Sequence, residues 1–257
     1  VRPSCRLCDR GRPPPGPSGR PTAPATGREP DNARAKVAIV DCSLGNLYSV
    51  KQACESVGLD ASITSSRADI LAADAVILPG VGAFGDAMTM LHKLDLVGPL
   101  RDVAASGKPL MGVCLGLQLL MSGSHEFGWH EGLGLIEGPV VRMDQPREGG
   151  GLLKVPHVGW NRVFHGAGVS GWDGSLLDGQ SDGEHMYFVH SYMAQPRDPA
   201  AILAVTRYGN VEFCSAARRG NVFGCQFHPE RSGAHGLRIY GQLAAQLSSN
   251  REEREQA

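Results

Sequence analysis

The sequence predicts an α/β fold, an open and mostly parallel sheet flanked by helices, with a strand-rich second half. Three observations carry that reading. Short apolar runs alternate with helix-length segments from Val37 to Leu120. A Gly-x-Cys-x-Gly pattern at 112–116 joins one apolar run to the next, as a tight strand-to-helix turn does. Beyond residue 140, strand-like runs follow one another, separated by Gly-, Asp- and Pro-rich turns.

Val37-Ala38-Ile39-Val40 reads as a buried strand ending at Asp41, followed by a Gly45-Asn46 turn. Asn46 to Val57 is then a helix stopped by Gly58. Ala61–Thr64, Ala75–Leu78 and Leu110–Val113 are further strands, with helices over Phe84–Leu94 and Pro99–Ser106 between them. In the second half, Val140–Met143, Tyr187–Tyr192, Ala201–Tyr208, Phe213–Ala217 and Val222–Phe227 are strand-like. Gly149-Gly150-Gly151 reads as a flexible loop, Gly236–Leu247 as an amphipathic helix, and Ser248 onward as a polar tail. One domain is expected over 37–250, with a tail over 251–257.

Residues 1–36 differ in kind. They hold eight of the 17 prolines and eight Lys/Arg against three acids, with almost nothing apolar to offset ordering entropy. They are expected to be a disordered, dispensable extension. Cys5-x-x-Cys8 is half of a zinc-type pattern, but no second pair follows at suitable spacing, so no metal is expected.

Composition narrows the function classes. No apolar run reaches the ~20 residues a membrane helix needs. Outside the first 36 residues, 17 basic side chains face 23 acidic ones, which argues against a nucleic-acid surface. Seven cysteines, an odd number in no repeating frame, fit reduced thiols and a cytoplasmic setting. A nucleophilic thiol is therefore available.

Pro109 to Leu120 is the most informative stretch. A nucleophile on a sharp strand-to-helix turn holds unusual dihedrals, and flanking side chains would collide there; Gly112 and Gly116 remove them. The helix beginning after Cys114 aims its N–H groups and positive dipole end at the sulfur, which favours the thiolate. Leu115 N–H is then placed to bind an oxyanion. The plainer alternative is a buried cysteine between two packing glycines.

A base is found at the end of a late strand, in His228-Pro229-Glu230. Strand alternation would put His228 and Glu230 on one side, with Pro229 holding the backbone extended. Such a histidine can take and return a proton near neutral pH, and the carboxylate can orient it. The alternative is a loop histidine beside an exposed glutamate. His157 and His190 also border apolar runs and read as a loop and a strand-end residue, structural rather than catalytic. Pro79–Gly82 lacks a following Gly-Lys-Ser/Thr, so a Walker-type phosphate loop is excluded.

Gly112-x-Cys114-x-Gly116-x-Gln118 together with His228-Pro229-Glu230 resembles the class I, triad-type glutamine amidotransferases. Pro79–Phe84, Lys154–Asn161, Tyr187–Tyr192 and Gln226–Gly233 narrow the likeness to the glutaminase subunits of imidazole glycerol phosphate synthase. The resemblance spans roughly residues 37–248.

It implies that Cys114 attacks the glutamine side-chain amide to give a thioester, while His228 protonates the departing ammonia and later activates water. Val81 and Gly82 resemble the oxyanion segment, working with Leu115 N–H and completed by a peptide flip once the partner is loaded. Gly80, Gln118, His190, Ser191 and Tyr192 match glutamine contacts. The implied partner is a β/α-barrel synthase (cyclase) subunit in a heterodimer, which uses the ammonia in histidine biosynthesis; no cofactor is implied. Asn46, Trp160 and Arg231 are expected at that interface, with Arg231 standing where the family commonly has Lys. Trp160 and Tyr192 fit an interface and a core position equally well. A catalytically dead binding subunit is disfavoured because all three triad residues are present, and two further rival readings remain. One is a glutaminase serving anthranilate, carbamoyl phosphate or pyridoxal phosphate synthesis. The other is a Cys-elbow peptidase or chaperone-like protein.

Overall fold

The computed structural model describes residues 34–42 and 46–256, with side chains to Arg251. The extension up to Ala33, with Cys5 and Cys8, and the Gly45 half of the expected turn lie outside the described residues.

The first half runs β1 (Lys36–Val40), α1 (Leu47–Ser56), β2 (Asp60–Thr64), α2 (Arg67–Ala72), β3 (Ala75–Gly80), α3 (Phe84–Lys93) and α4 (Val97–Ala105). It ends in β4 (Leu110–Cys114) and α5 (Leu115–Leu120). Then come β5 (Met121–Ser124), β6 (His130–Glu131), β7 (Ile136–Arg142), β8 (Arg147–Glu148), β9 (Gly151–Leu152) and β10 (His157–His165). The chain closes with β11 (Glu184–His190), β12 (Tyr192–Ala194), β13 (Ile202–Tyr208), β14 (Val211–Arg219), β15 (Val222–Cys225) and α6 (Gly233–Gln256).

Nine strands form the main sheet in the order β11-β10-β13-β14-β15-β4-β3-β1-β2. From β2 to β15 every pairing is parallel, and from β15 to β11 every pairing is antiparallel. The parallel half is sealed on both faces, which is why its strands read as unbroken apolar runs. Along β1, Val37 and Ile39 face Val50 and Cys54 of α1 and Ile239 and Leu243 of α6. Ala38 and Val40 face the opposite layer, with Ile70, Phe84, Leu91, Leu100 and Leu117. Helices therefore cover both sides. No helix among the described residues is long and apolar enough to cross a membrane.

Three local expectations are corrected. Gly149 and Gly150, with φ of 57° and 83°, turn β8 directly into β9. Two consecutive positive φ values make the tight hairpin turn that matches strand twist, so the stretch is ordered geometry rather than a loose loop. α6 begins at Gly233 and continues to Gln256, through the stretch expected to be a polar tail. Its last turns need no apolar face, because Glu, Arg and Gln are good helix formers. His157 opens β10, is 2% exposed, and is not a loop residue.

Candidate active site

The C-terminal ends of the parallel strands are where an open α/β sheet exposes backbone for chemistry. Register decides what meets there. Gly80 of β3 pairs with Cys114 of β4, while Val113 pairs with Cys225 of β15. Cys114 is thus flanked by Gly80 on one side and, one step past β15, by Gln226 on the other.

Cys114 has φ 55° and ψ −107°, conditions an L-residue rarely adopts, and it forms the cap from which α5 departs. Such a bend survives only where the surroundings over-determine it. The two glycines do so by proximity. A Cβ on Gly112 would lie 2.7 Å from the Gly116 carbonyl, and one on Gly116 would lie 1.8 Å from the Leu78 oxygen. Any side chain at either position would push α5 off the sheet.

A cavity of about 260 Å³ opens beside the sulfur. Its lining includes Cys114, Leu115, Val81, Gly82, Gln118, His190, Ser191 and Tyr192. A larger cavity, about 510 Å³, lies near Pro109 and Asn221 at the other end of β4, away from this chemistry. Gly80 is not in the lining of the smaller cavity but lies close to one of its residues, since a Cβ added there would fall 3.2 Å from the Leu115 Cβ.

His228 and Glu230 stand behind the cysteine. His228 Nδ1 is 2.8 Å from Glu230 Oε1, and the two side chains are 7% and 2% exposed. The pairing expected from strand alternation is made differently. β15 ends at Cys225, and Pro229–Arg231 form a single 3-10 turn that curls Glu230 back onto the imidazole. Ser232, 1% exposed, clamps the arrangement: its Oγ donates to His228 O at 2.7 Å and accepts from Tyr187 N–H at 3.0 Å.

Burial opposes a charge on His228, but the neighbouring Cys114 and the Glu230 carboxylate outweigh it and raise the imidazole to about 10. Nε2, on the far side of the ring, is buried and makes no hydrogen bond. Cys114 therefore acts on it as a close neighbour without a formed bond. The sulfur has two hydrogen-bond neighbours, Val189 O and Gln226 Nε2, each at 3.7 Å.

A family description, "Glutamine amidotransferase class-I", matches residues 38–242. The chain belongs to that family. The imidazole glycerol phosphate synthase subunit HisH of Rhodopirellula baltica is 47% identical over 208 residues, which cover 81% of this chain and 96% of that one. The corresponding subunit of Moorella thermoacetica is 44% identical, covering 80% and 94%. Among solved structures, PurLQS from Thermotoga maritima superimposes with a TM-score of 0.64 at 19% identity, covering 83% of this chain and 99% of that one. That likeness supports the fold alone.

In this class-I glutamine amidotransferase, eight of the residues singled out from the sequence line the cavity, the His228–Glu230 pair lies beside Cys114 outside that lining, Gly80 lies against Leu115, and three stand elsewhere. Asn46 is exposed at the start of α1, past the end of β1. Trp160 is 56% exposed on β10, which answers the question of whether it is a core residue. Arg231 is exposed with its guanidinium 4.8 Å above the Tyr187 ring, and Tyr187 in turn meets Trp160 at 6.0 Å. Trp160, Tyr187 and Arg231 thus form one continuous strip. Tyr192 is half-buried and lines the cavity.

Two residues were given no site role from the sequence. Glu126 is 9% exposed, lines the cavity, and accepts the Phe84 N–H through Oε2 at 2.7 Å. Its only sequence signal is a carboxylate in a short segment between apolar runs, 42 residues from Phe84. Gln226 is 0% exposed beside the sulfur, a polar residue inside a run that reads as apolar.

Proposed function

We infer that this chain is the glutaminase of an imidazole glycerol phosphate synthase, releasing ammonia from glutamine for a separate synthase subunit. The single observation that carries the chemistry is that Cys114, on its strained elbow in the wall of the cavity, has the sealed His228–Glu230 pair beside it. The acceptor is supported by the HisH relatives, whose printed name makes each of them a subunit of imidazole glycerol phosphate synthase.

The chemistry follows from the placement. The Cys114 thiolate adds to the glutamine side-chain carbonyl carbon, and the oxygen takes up the negative charge. Leu115 N–H, with the Val81–Gly82 peptide, supplies donors for that oxyanion. His228 carries its proton on Nε2, which has no competing partner, and gives it to the amide nitrogen as the C–N bond breaks. Ammonia leaves, and a γ-glutamyl thioester remains. The now neutral imidazole removes a proton from water, whose oxygen attacks the thioester; glutamate departs and the thiolate returns with His228 again charged. Glu230 holds the ring in place and compensates its charge throughout. The substrate's α-ammonium fits the Glu126 carboxylate at the cavity wall. No metal or organic cofactor is needed by a thioester route.

The partner in this proposal is a β/α-barrel synthase subunit, docked over Asn46 and the Trp160–Tyr187–Arg231 strip. The test is co-purification of the chain with that subunit, followed by glutamine-dependent synthesis. Cys114→Ala is expected to abolish glutamine-dependent turnover while the complex still forms and still uses added ammonia. Glutaminase activity surviving in Cys114→Ala would remove the mechanism.

A further inference from the structure

We propose that Gln226 is a catalytic residue that holds the Cys114 sulfur as a thiolate, through an amide N–H whose direction is fixed from the Tyr192 carbonyl. The inference rests on Cys114 being the nucleophile.

The direction of each hydrogen bond can be worked out from one end. A backbone carbonyl can only accept. The Tyr192 oxygen has two neighbours, His190 Nδ1 at 3.0 Å and Gln118 at 3.0 Å. The Gln118 atom facing it must therefore be the NH₂ group. That same nitrogen lies 3.1 Å from the Gln226 amide, so the Gln226 atom facing it must be the oxygen. The other end of the Gln226 amide, its NH₂, is then the group 3.7 Å from Cys114 Sγ. Amide orientations are assigned from their networks, and here each step leaves one choice.

A second arm of donors meets the same carbonyl from the other side. With a proton on His190 Nδ1, its Nε2 accepts from His157 Nδ1 at 3.2 Å, and His157 Nε2 accepts from Asn161 Nδ2 at 3.3 Å. Burial holds both imidazoles well below their usual range, His190 to about 3 and His157 to about 4, so neither gains a second proton near neutral pH. This arm ends at the Tyr192 carbonyl, which accepts from both His190 and Gln118, so donors run from Gln118 through Gln226 to the sulfur and the histidine arm serves only to hold that carbonyl as an acceptor.

A donor aimed at sulfur is worth more when the sulfur is ionised, because charge-assisted hydrogen bonds are the strong ones. Gln226 is 0% exposed and Gln118 is 5% exposed, so water does not compete for either amide. The β15–β4 register fixes Gln226 beside Cys114 whether or not the cavity is filled. Val189 O, 3.7 Å from the same sulfur, can only accept and so favours the thiol, which leaves Gln226 as the constant donor on the thiolate's side, in addition to His228, whose proton leaves and returns during turnover.

The experiment is iodoacetamide alkylation of the full chain across pH, followed by mass spectrometry of the peptide that carries Cys114. Gln226→Met keeps volume and removes the donor. Its alkylation midpoint is expected to rise by about one pH unit, with a roughly tenfold slower reaction below the midpoint and the same plateau above it. Gln226→Glu keeps the shape but sets a carboxylate against the sulfur, and its midpoint is expected to rise at least as far. Gln118→Leu leaves Gln226 in place without its orienting donor, and a smaller rise in the same direction is expected. A midpoint unchanged in those variants that retain the parent melting temperature, or a rate lowered equally at every pH, would assign Gln226 to packing and overturn the proposal. Alkylation reads the sulfur alone. Failure of the glutaminase reading would appear instead as Cys114-independent turnover, so the two can be told apart.

Discussion

His228 Nδ1 lies 2.8 Å from Glu230 Oε1 inside a site that admits almost no solvent to either side chain. The contact lets the imidazole keep a proton despite burial and leaves Nε2 without a hydrogen bond, as the proposed mechanism requires of the atom that delivers the proton. Glu230→Gln preserves size and removes the compensating charge. Turnover with glutamine is expected to fall by about 10²- to 10⁴-fold, the usual worth of a positioned proton donor. The pH at which His228 loses its proton should move down, because one of the two groups raising it is gone. Turnover with added ammonia, measured in the complex, should stay at the parent level.

The same pair predicts behaviour at high pH. The folded-state value of His228, about 10, exceeds its ordinary 6.5, so the folded chain binds a proton that the unfolded chain has released. The stabilisation is complete below pH ~6.5 and is lost as pH rises through ~10. His157 and His190 behave oppositely. Burial keeps both neutral in the fold, at about 4 and about 3, so they cost nothing above pH ~6.5 and destabilise the fold increasingly as pH falls toward those values. Melting temperature should therefore decline on both sides. Changing His157 to Gln should lessen the acid decline, and changing His228 to Gln should lessen the alkaline one. Parallel melting curves for parent and variants across pH would contradict the assignment.

At the elbow, Gly112→Ala places a methyl 2.7 Å from the Gly116 carbonyl and 2.8 Å from Leu117 N. These are backbone atoms that cannot rotate away, so α5 must shift. A loss of ~1–3 kcal/mol is expected from overpacking, measurable by denaturant unfolding. Glutaminase activity should fall further than stability alone would explain, since Cys114 caps the displaced helix. Gly116→Ala, with its Cβ 1.8 Å from Leu78 O, should be the worse of the two.

What the sequence disclosed and what it hid follow from how local each signal is. β1, β3 and β4 were legible because a strand buried on both faces needs only an apolar run, and Val37–Val40 or Ala75–Leu78 supply one. The elbow was legible because its glycines sit two residues on either side of Cys114. α2 was missed, since only Ile70 of its six residues is buried and no apolar stripe can form. β10 was missed because its pattern mixes the buried His157 and Val163 with exposed Val158, Trp160 and Arg162. Glu126 and Gln226 owe their places to contacts 42 and 112 residues away in the chain. No window along the sequence contains that information.

Trp160, Tyr187 and Arg231 make the last test. A tryptophan left 56% exposed on the strand next to the sheet edge costs apolar area to water, and a second large side chain in the same strand, Val158, is equally exposed at 56%. Rings and guanidinium together form the kind of anchor that dominates binding energy in protein interfaces. Trp160→Ala removes the ring without opening the core, so the isolated chain should keep its stability within ~0.5 kcal/mol. Affinity for the synthase subunit, measured by titration calorimetry, should drop by tenfold or more, in line with a loss of ~2 kcal/mol. Arg231→Ala should behave alike, whereas Arg231→Lys should recover the charge but lose the planar stack over Tyr187, and so recover part of the affinity. Unaltered affinity in both alanine variants would move the docking surface to another face of the molecule.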